Sequence, residues 1–176
     1  MKILAFAASS SRNSINKQLI TYAASLLENT DIEIIDLNDF EMPIYSEDRE
    51  KQLGIPEAAE RFFKKIGAAD ALLISFAEHN GSYTAAYKNL YDWASRINSK
   101  VFQNKPMVIL ATSPGPGGAG NVLATAKTSA PHFGGDVRAD LSIARFYDVF
   151  DLQEGRISNR EIVKKLTAAL SHLRNL

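Results

Sequence analysis

Residues 3–16 read ILAFAASSSRNSIN, an apolar run that is followed at once by hydroxyl and amide side chains. A continuous apolar run such as 3–7 is typical of a parallel strand that is covered on both faces. Beyond the polar stretch, apolar residues recur at helical spacing over 15–27. This region therefore predicts a buried strand, a polar loop over 9–16 and a helix that begins within the loop.

The same alternation continues along the rest of the chain. Further apolar runs that are typical of strands lie at 32–37, 71–76, 107–111 and 137–143, and segments with helical periodicity lie between them. Strands and helices that alternate in this way predict an α/β fold, a doubly wound parallel sheet with helices on both faces. Two irregular stretches, roughly 38–54 and 145–157, are candidates for extra function. No composition shift marks a boundary, so we expect a single domain over 1–176.

Composition excludes several classes of site and partner. The 176 residues carry 20 basic and 20 acidic side chains, so no overall field favours nucleic acid or an anionic membrane. The chain has no cysteine, which excludes disulfides, thiolate catalysis and cysteine-based metal sites. Its three histidines lack metal-ligand spacing, and no apolar run is long enough to span a bilayer. We expect a cytoplasmic protein with no metal, no nucleic-acid partner and no membrane partner.

The loops that follow the first, third and fourth predicted strands are unusual in composition. In an open doubly wound sheet, ligands bind beyond the carboxyl ends of the strands, so these loops point to one ligand site. The first loop, 9–16, reads SSSRNSIN and opens a helix, whose free N–H groups and positive end suit a phosphate. The alternative is an ordinary helix cap with solvated serines. The loop has neither a P-loop pattern nor Gly-x-Gly-x-x-Gly, which argues against nucleotide sites of those types.

The other two loops are compatible with a flat ligand. The second, 77–82, reads AEHNGS, and its Asn-Gly pair is a strong turn signal that can expose backbone N–H and C=O groups. The third, 112–120, reads TSPGPGGAG, and its glycines allow a backbone to approach a ligand closely. Taken alone, the second loop could equally be a plain connecting turn, and for the third a plain connection is the commoner case.

Three motifs resemble those of the NADPH-dependent FMN reductase family of flavodoxin-like proteins. They are AASSSRNSINKQL (7–19), AEHNGSYTAAYKNLYDW (77–93) and SPGPGGAGN (113–121), which occur in order and on matching loops. The chain departs from the family pattern at Ala8, where a glycine is usual, and at Ala77 and His79, where a proline and a tyrosine are usual. The resemblance implies the strand order 2-1-3-4-5.

The resemblance also implies a cofactor site for FMN. The FMN phosphate would be held by Ser9, Ser11, Arg12, Ser14, Ile15 and Asn16. The edge of the isoalloxazine would be lined, largely through backbone groups, by Glu78, His79, Asn80 and Ser82. The other side of the ring would pack against Ser113, Gly115, Gly117 and Gly118. No side-chain catalytic group is implied, because the flavin itself would perform the chemistry.

The implied activity is transfer of a hydride from NADPH or NADH to flavin N5, and then of electrons to a flavin, quinone or azo/nitro acceptor. An FMN-binding electron carrier without a nicotinamide site, like a flavodoxin, is the alternative. Family members usually form dimers or tetramers through the helix after the second loop, so we expect a homodimer or homotetramer. Tyr87, Tyr91 and Trp93 lie on that helix, and they could equally be ordinary core residues.

Overall fold

The computed structural model describes residues 1–174. Its main sheet has five parallel strands in the order β2-β1-β3-β4-β5, which confirms the expected flavodoxin-like topology. These strands are β1 (Lys2–Ala8), β2 (Asp31–Ile35), β3 (Ala71–Phe76), β4 (Lys105–Thr112) and β5 (Gly135–Ile143). A short antiparallel pair consists of β6 (Phe150–Asp151) and β7 (Arg156–Ile157).

Helices cover both faces of the sheet, as the alternating pattern predicts. They are α1 (Ile15–Ser25), α2 (Glu47–Leu53), α3 (Glu57–Ala68), α4 (Ala85–Ile97), α5 (Gly120–Ser129), α6 (Phe146–Val149) and α7 (Arg160–Arg174). One hydrophobic cluster packs α3, α4 and α5 against one face, and a second packs α1 and α7 against the other. No helix within residues 1–174 combines the length and the apolar character that a membrane span requires.

The edge strand β5 differs from the buried central strands. Its residues alternate between exposed and partly buried positions, whereas β3 is buried throughout. Met107 pairs with Val137 and Val108 pairs with Ala139, so Arg138 is an extra residue in the ladder. Such a bulge bends an edge strand and changes which face its side chains occupy. It allows both Val137 and Ala139 to pack inward, on opposite faces of the sheet.

The two irregular stretches contain more regular structure than the sequence predicts. A 3-10 turn at Leu37–Phe40 follows β2, and its cap Asp36 accepts a hydrogen bond from the Asn38 N–H. This cap ends the strand two residues earlier than the apolar run suggests. Helix α2 has no buried residue, so it lacks the apolar face that periodicity detects. The second stretch forms α6 and the β6–β7 pair.

Candidate functional site

The three unusual loops meet at one edge of the sheet. Strand β3 lies between β1 and β4 and runs parallel to both, so their carboxyl ends point the same way. A cleft of about 250 Å³ lies at this edge and is lined by residues from all three loops. The predicted site residues in its lining are Ser9, Ser11, Ser14, Ile15, Asn16, Glu78, His79 and Ser113.

The other predicted residues do not line this cleft, namely Arg12, Asn80, Ser82, Gly115, Gly117 and Gly118. Sequence reasoning missed some residues that do line it, namely Asn13, Ala77, Thr112, Pro114 and Tyr147. The first four lie within the predicted loops, at positions that the family resemblance did not assign to the cofactor. Tyr147 comes from beyond β5, where no motif marks it, and its side chain is 58% exposed at the cleft.

The first loop presents a helix N-terminus to the cleft. Ser14 caps α1, and its Oγ accepts a hydrogen bond from the Lys17 N–H at 3.3 Å. No described residue accepts a hydrogen bond from the N–H of Ile15 or Asn16, as expected for the first turn of a helix. These two N–H groups, with the Ser9, Ser11 and Ser14 hydroxyls around them, form a donor set that suits a phosphate dianion.

Two cations in or beside this loop differ in their availability. The Lys17 ammonium lies 2.5 Å from a carboxylate oxygen of Asp36, and this hydrogen bond holds the pKa of Asp36 below its usual value. Arg12 is exposed, and its guanidinium pairs with no acidic residue within 1–174. A ligand anion at the first loop would therefore meet the charge of Arg12, whereas that of Lys17 is already neutralised.

Asn16 connects the first loop to the sheet beneath it. Its Oδ1 accepts hydrogen bonds from the Ser75 hydroxyl at 2.7 Å and the Thr112 N–H at 3.2 Å. Its Nδ2 donates to the Thr112 carbonyl at 3.2 Å, and all three residues are buried. The Asn16 side chain therefore fixes the start of α1 against the ends of β3 and β4, which leaves its backbone N–H to face a ligand.

The second loop is a tight hairpin turn. Asn80 and Gly81 have φ angles of 52° and 78°, and the backbone N–H groups of His79 and Ser82 each donate to the other's carbonyl. Positive φ at both central positions is the type I′ pattern that an Asn-Gly pair predicts. Because the His79 and Ser82 N–H groups are engaged, the donors left for a ligand are those of Asn80 and Gly81.

Side chains at both ends of this turn bind the neighbouring loops. Glu78 Oε2 accepts a hydrogen bond of 2.9 Å from the Val122 N–H in the first turn of α5. A carboxylate at a helix N-terminus is favoured by the helix dipole. Thr84 caps α4 and donates its hydroxyl to the Ala8 carbonyl at 3.0 Å. The second loop is thereby held against the end of β1 and the start of α5.

The glycines of the third loop fall into two groups. Gly118 has φ +59°, and a Cβ atom there would lie 2.3 Å from Ser142 Oγ and 3.0 Å from the Ala144 nitrogen. The fold itself therefore requires glycine at 118. At Gly115 and Gly117 φ is not positive, and a Cβ atom would meet nothing within 4 Å. These two glycines leave open space beside the loop, where a planar ligand could lie against the backbone.

Replacing Gly117 by valine tests whether this space belongs to a ligand. Because a Cβ atom at 117 would meet nothing within 4 Å, we expect an unchanged free energy of unfolding of the apoprotein. A side chain that overlaps a bound ring should weaken FMN binding by about tenfold, since overpacking costs on the order of 1–3 kcal/mol. Chemical denaturation and FMN titration measure the two effects. Gly118→Ala is the matched control, and it should instead destabilise the apoprotein. An unchanged FMN affinity in Gly117→Val would contradict the proposal that a ligand ring occupies this space.

The site offers no metal centre among the described residues. No group of three or more His, Asp or Glu side chains within 1–174 is placed to hold a metal ion. What the loops do offer is hydroxyl and N–H donors in the first loop and glycine backbone beside open space in the third. This arrangement fits a ligand that combines a phosphate with a flat ring system.

Comparison with known proteins identifies the family. An NAD(P)H-dependent FMN reductase of Pseudomonas aeruginosa is 39% identical over 116 residues, 65% of this chain and 61% of that protein. A 2-hydroxy-1,4-benzoquinone reductase of Burkholderia is 38% identical over 117 residues, 65% of this chain and 62% of that protein. The matching region spans about three fifths of the length of these relatives.

The solved structure of FerB, a flavoenzyme NAD(P)H:(acceptor) oxidoreductase from Paracoccus denitrificans, has the same fold. It matches with a TM-score of 0.81 at 24% identity and covers 98% of this chain and 95% of that one. The sequence profile described as NADPH-dependent FMN reductase matches residues 1–147, which is well over half of the chain. The chain therefore belongs to the NADPH-dependent FMN reductase family.

Proposed function

We propose that the three loops bind FMN and that the protein catalyses NAD(P)H-dependent reduction of a small acceptor, a flavin, quinone or azo/nitro compound. One observation carries the proposal. The α1 N-terminus has backbone N–H groups without an acceptor among the described residues, and the glycine loop has free space beside Gly115 and Gly117. The names of the relatives, which include an FMN reductase and a benzoquinone reductase, support the same activity.

In this proposal the first loop binds the phosphate. The N–H groups of Ile15 and Asn16 donate to its oxygens, and the hydroxyls of Ser9, Ser11 and Ser14 complete the shell. Arg12 supplies the cation from the exposed side of the loop. The Asn16 side chain acts as a positioning group beneath the shell, because its amide is committed to Ser75 and Thr112.

The second and third loops bind and orient the ring. Hydride transfer between a nicotinamide and an acceptor is the chemistry that FMN supplies when it is bound. The chain contributes backbone N–H groups at Asn80, Gly81, Gly115 and Gly117, which donate to no described residue. Such fixed donors stabilise negative charge that develops on a reduced ring. His79, at the position where the family usually has tyrosine, is exposed at the rim of the cleft.

Turnover measurements separate this function from that of an electron carrier. We expect the FMN-loaded protein to oxidise NADPH or NADH when a benzoquinone, free FMN or an azo dye is supplied, and the apoprotein to be inactive. Reduction of bound FMN by dithionite but by neither nicotinamide nucleotide would contradict the reductase proposal and indicate the carrier. Failure to bind FMN at all would contradict both.

The proposal extends to a homodimer or homotetramer through α4. Tyr87 and Trp93 are buried core residues, and Trp93 Nε1 donates to the Pro43 carbonyl at 2.7 Å. Tyr91 is only partly buried, and with Tyr87 it lines an apolar cavity of about 270 Å³ between α4 and α5, where burial raises the pKa of Tyr91. Lys88 and Asp92 form an ion pair in the lining of this cavity. A second copy would present the same apolar surface with the same pair of opposite charges beside it. A two-fold interface requires such a self-complementary surface.

A charge at Tyr91 tests the interface. In Tyr91→Lys an ammonium group would have to be buried without a partner, so we expect association to weaken by at least about tenfold. Tyr91→Phe keeps the apolar surface and should leave association unchanged. Light scattering coupled to size-exclusion chromatography measures the mass. A monomeric wild-type protein, or an equal mass for Tyr91→Lys and wild type, would argue against this surface.

We also propose that residues 1–176 act as one FMN-binding domain in the cytoplasm. The continuous sheet and the absence of cysteine, which suits a reducing compartment, support these two points. Limited proteolysis of the FMN-loaded protein and fractionation of the source cells test them.

A further inference from the structure

We infer that Arg145 binds a phosphate group of the nicotinamide dinucleotide and so helps to select the hydride donor. The inference rests on the proposed function. The turn that follows β5 lies against the glycine loop. The Arg145 N–H donates to the Gly115 carbonyl at 3.0 Å, and the Phe146 N–H donates to the Ser113 carbonyl at 3.1 Å. Phe146 is buried, so the turn is anchored on both sides.

The backbone of Arg145 has an unusual conformation for its residue type. Its φ angle of 51° lies in the left-handed region, which disfavours residues other than glycine, asparagine and aspartate. The turn would form more easily with glycine at this position. An arginine that is kept in a strained conformation beside a proposed ligand site is a candidate for binding.

Charge around the three loops points to the same residue. Two cations on the helices that follow the first and second loops are neutralised by ion pairs: Lys17 with Asp36, and Lys88 with Asp92. The guanidinium of Arg145 is exposed and forms no ion pair or hydrogen bond with any residue of the described chain. Arg12 shares this property, but it lies on the first loop, at the proposed FMN phosphate.

The chemistry of the hydride donor requires a cation of this kind. NADH carries a pyrophosphate, and NADPH carries an additional 2′-phosphate on its adenosine. The chain has no net charge, so attraction for these groups must be local. A guanidinium matches the geometry of phosphate oxygens and can bind two of them at once. Arg145 lies next to the glycine loop, against which the ring is proposed to pack, and so beside the ring site that a dinucleotide must reach.

The test variant is Arg145→Gly, because glycine suits the left-handed backbone and should keep the turn folded. We expect its FMN-loaded form to bind NADP⁺ about tenfold more weakly than wild type, as a lost bond to a charged phosphate implies. Arg145→Lys should lose less, since it keeps the charge. Arg156→Ala is the matched control, because it removes another exposed cation on β7, away from the three loops.

Titration calorimetry with NADP⁺ and NAD⁺, together with KM for NADPH and NADH, identifies the phosphate. Weaker binding of NADP⁺ alone supports contact with the 2′-phosphate, and weaker binding of both supports contact with the pyrophosphate. Equal nucleotide affinities in wild type and Arg145→Gly, or an equal loss of affinity in Arg156→Ala, would overturn the inference. The proposed function would still stand in that case if the wild-type protein oxidises NAD(P)H. A wild-type protein that oxidises neither nucleotide would contradict the proposed function, and the inference with it.

Discussion

Replacing both Arg12 and Ser14 by alanine is expected to weaken FMN binding by about a hundredfold, the largest effect on affinity that the account predicts. A hydrogen bond to a charged group contributes roughly 1.5–3 kcal/mol, and each 1.4 kcal/mol is a factor of ten. Arg12 is exposed, so its share falls at the lower end of that range. Ser14 is buried at the start of α1, where its hydroxyl lines the cleft. Fluorescence titration with FMN measures the change.

Two controls separate binding from folding in this experiment. Ser14 also caps α1, so its loss should lower the free energy of unfolding by about 1 kcal/mol, which chemical denaturation will show. Ser10→Ala removes a neighbouring hydroxyl that lines a different hollow, beside Phe40 and Ala86. It should leave FMN affinity unchanged. An unchanged FMN affinity in the Arg12 and Ser14 double variant would rule out the first loop as the phosphate site.

Asn16→Ala is expected to lower the free energy of unfolding by about 2–4 kcal/mol, the largest effect on stability. The change removes three buried hydrogen bonds and leaves the Ser75 hydroxyl and the Thr112 N–H and carbonyl without partners. Each buried polar group left unsatisfied costs on the order of 1–3 kcal/mol, and relaxation recovers part of the sum. Urea denaturation of the apoprotein measures the change.

Asn13→Ala is the matched control for Asn16→Ala. Asn13 belongs to the same loop and lines the same cleft, but its side chain is exposed. Substitutions at such positions change stability by about 0.5 kcal/mol or less. A loss of stability in Asn16→Ala that is no greater than in Asn13→Ala would show that the buried network does not position the first loop.

Patterns that depend on local sequence predicted the fold well. The apolar runs of β1, β3 and β4 mark buried parallel strands, and the Asn80-Gly81 pair predicts the turn that the structure contains. Helix α2 escaped prediction because all its residues remain outside the core. Edge strand β5 begins two residues earlier than its apolar run, since pairing with β4 extends over Gly135 and Asp136.

The candidate site could be predicted only in outline. The glycine run of the third loop looks uniform in sequence, yet Gly118 is required by Ser142 and Ala144, whereas Gly117 is not required by any neighbour. That distinction depends on where β5 ends, and spacing along the chain cannot reveal it. The same holds for Asn16 in α1, whose partners Ser75 and Thr112 lie on β3 and β4. The roles of the predicted site residues in binding FMN stay predictions.

The most direct test of the central claim is the comparison of FMN with riboflavin as ligands of the wild-type apoprotein by titration calorimetry. The two flavins share the ring and differ in the phosphate, so their difference in affinity reports the contribution of the first loop. The account predicts that FMN binds at least about a hundredfold more tightly, from two or more hydrogen bonds to a charged phosphate. Equal affinities for the two flavins would contradict it, and so would the absence of FMN binding.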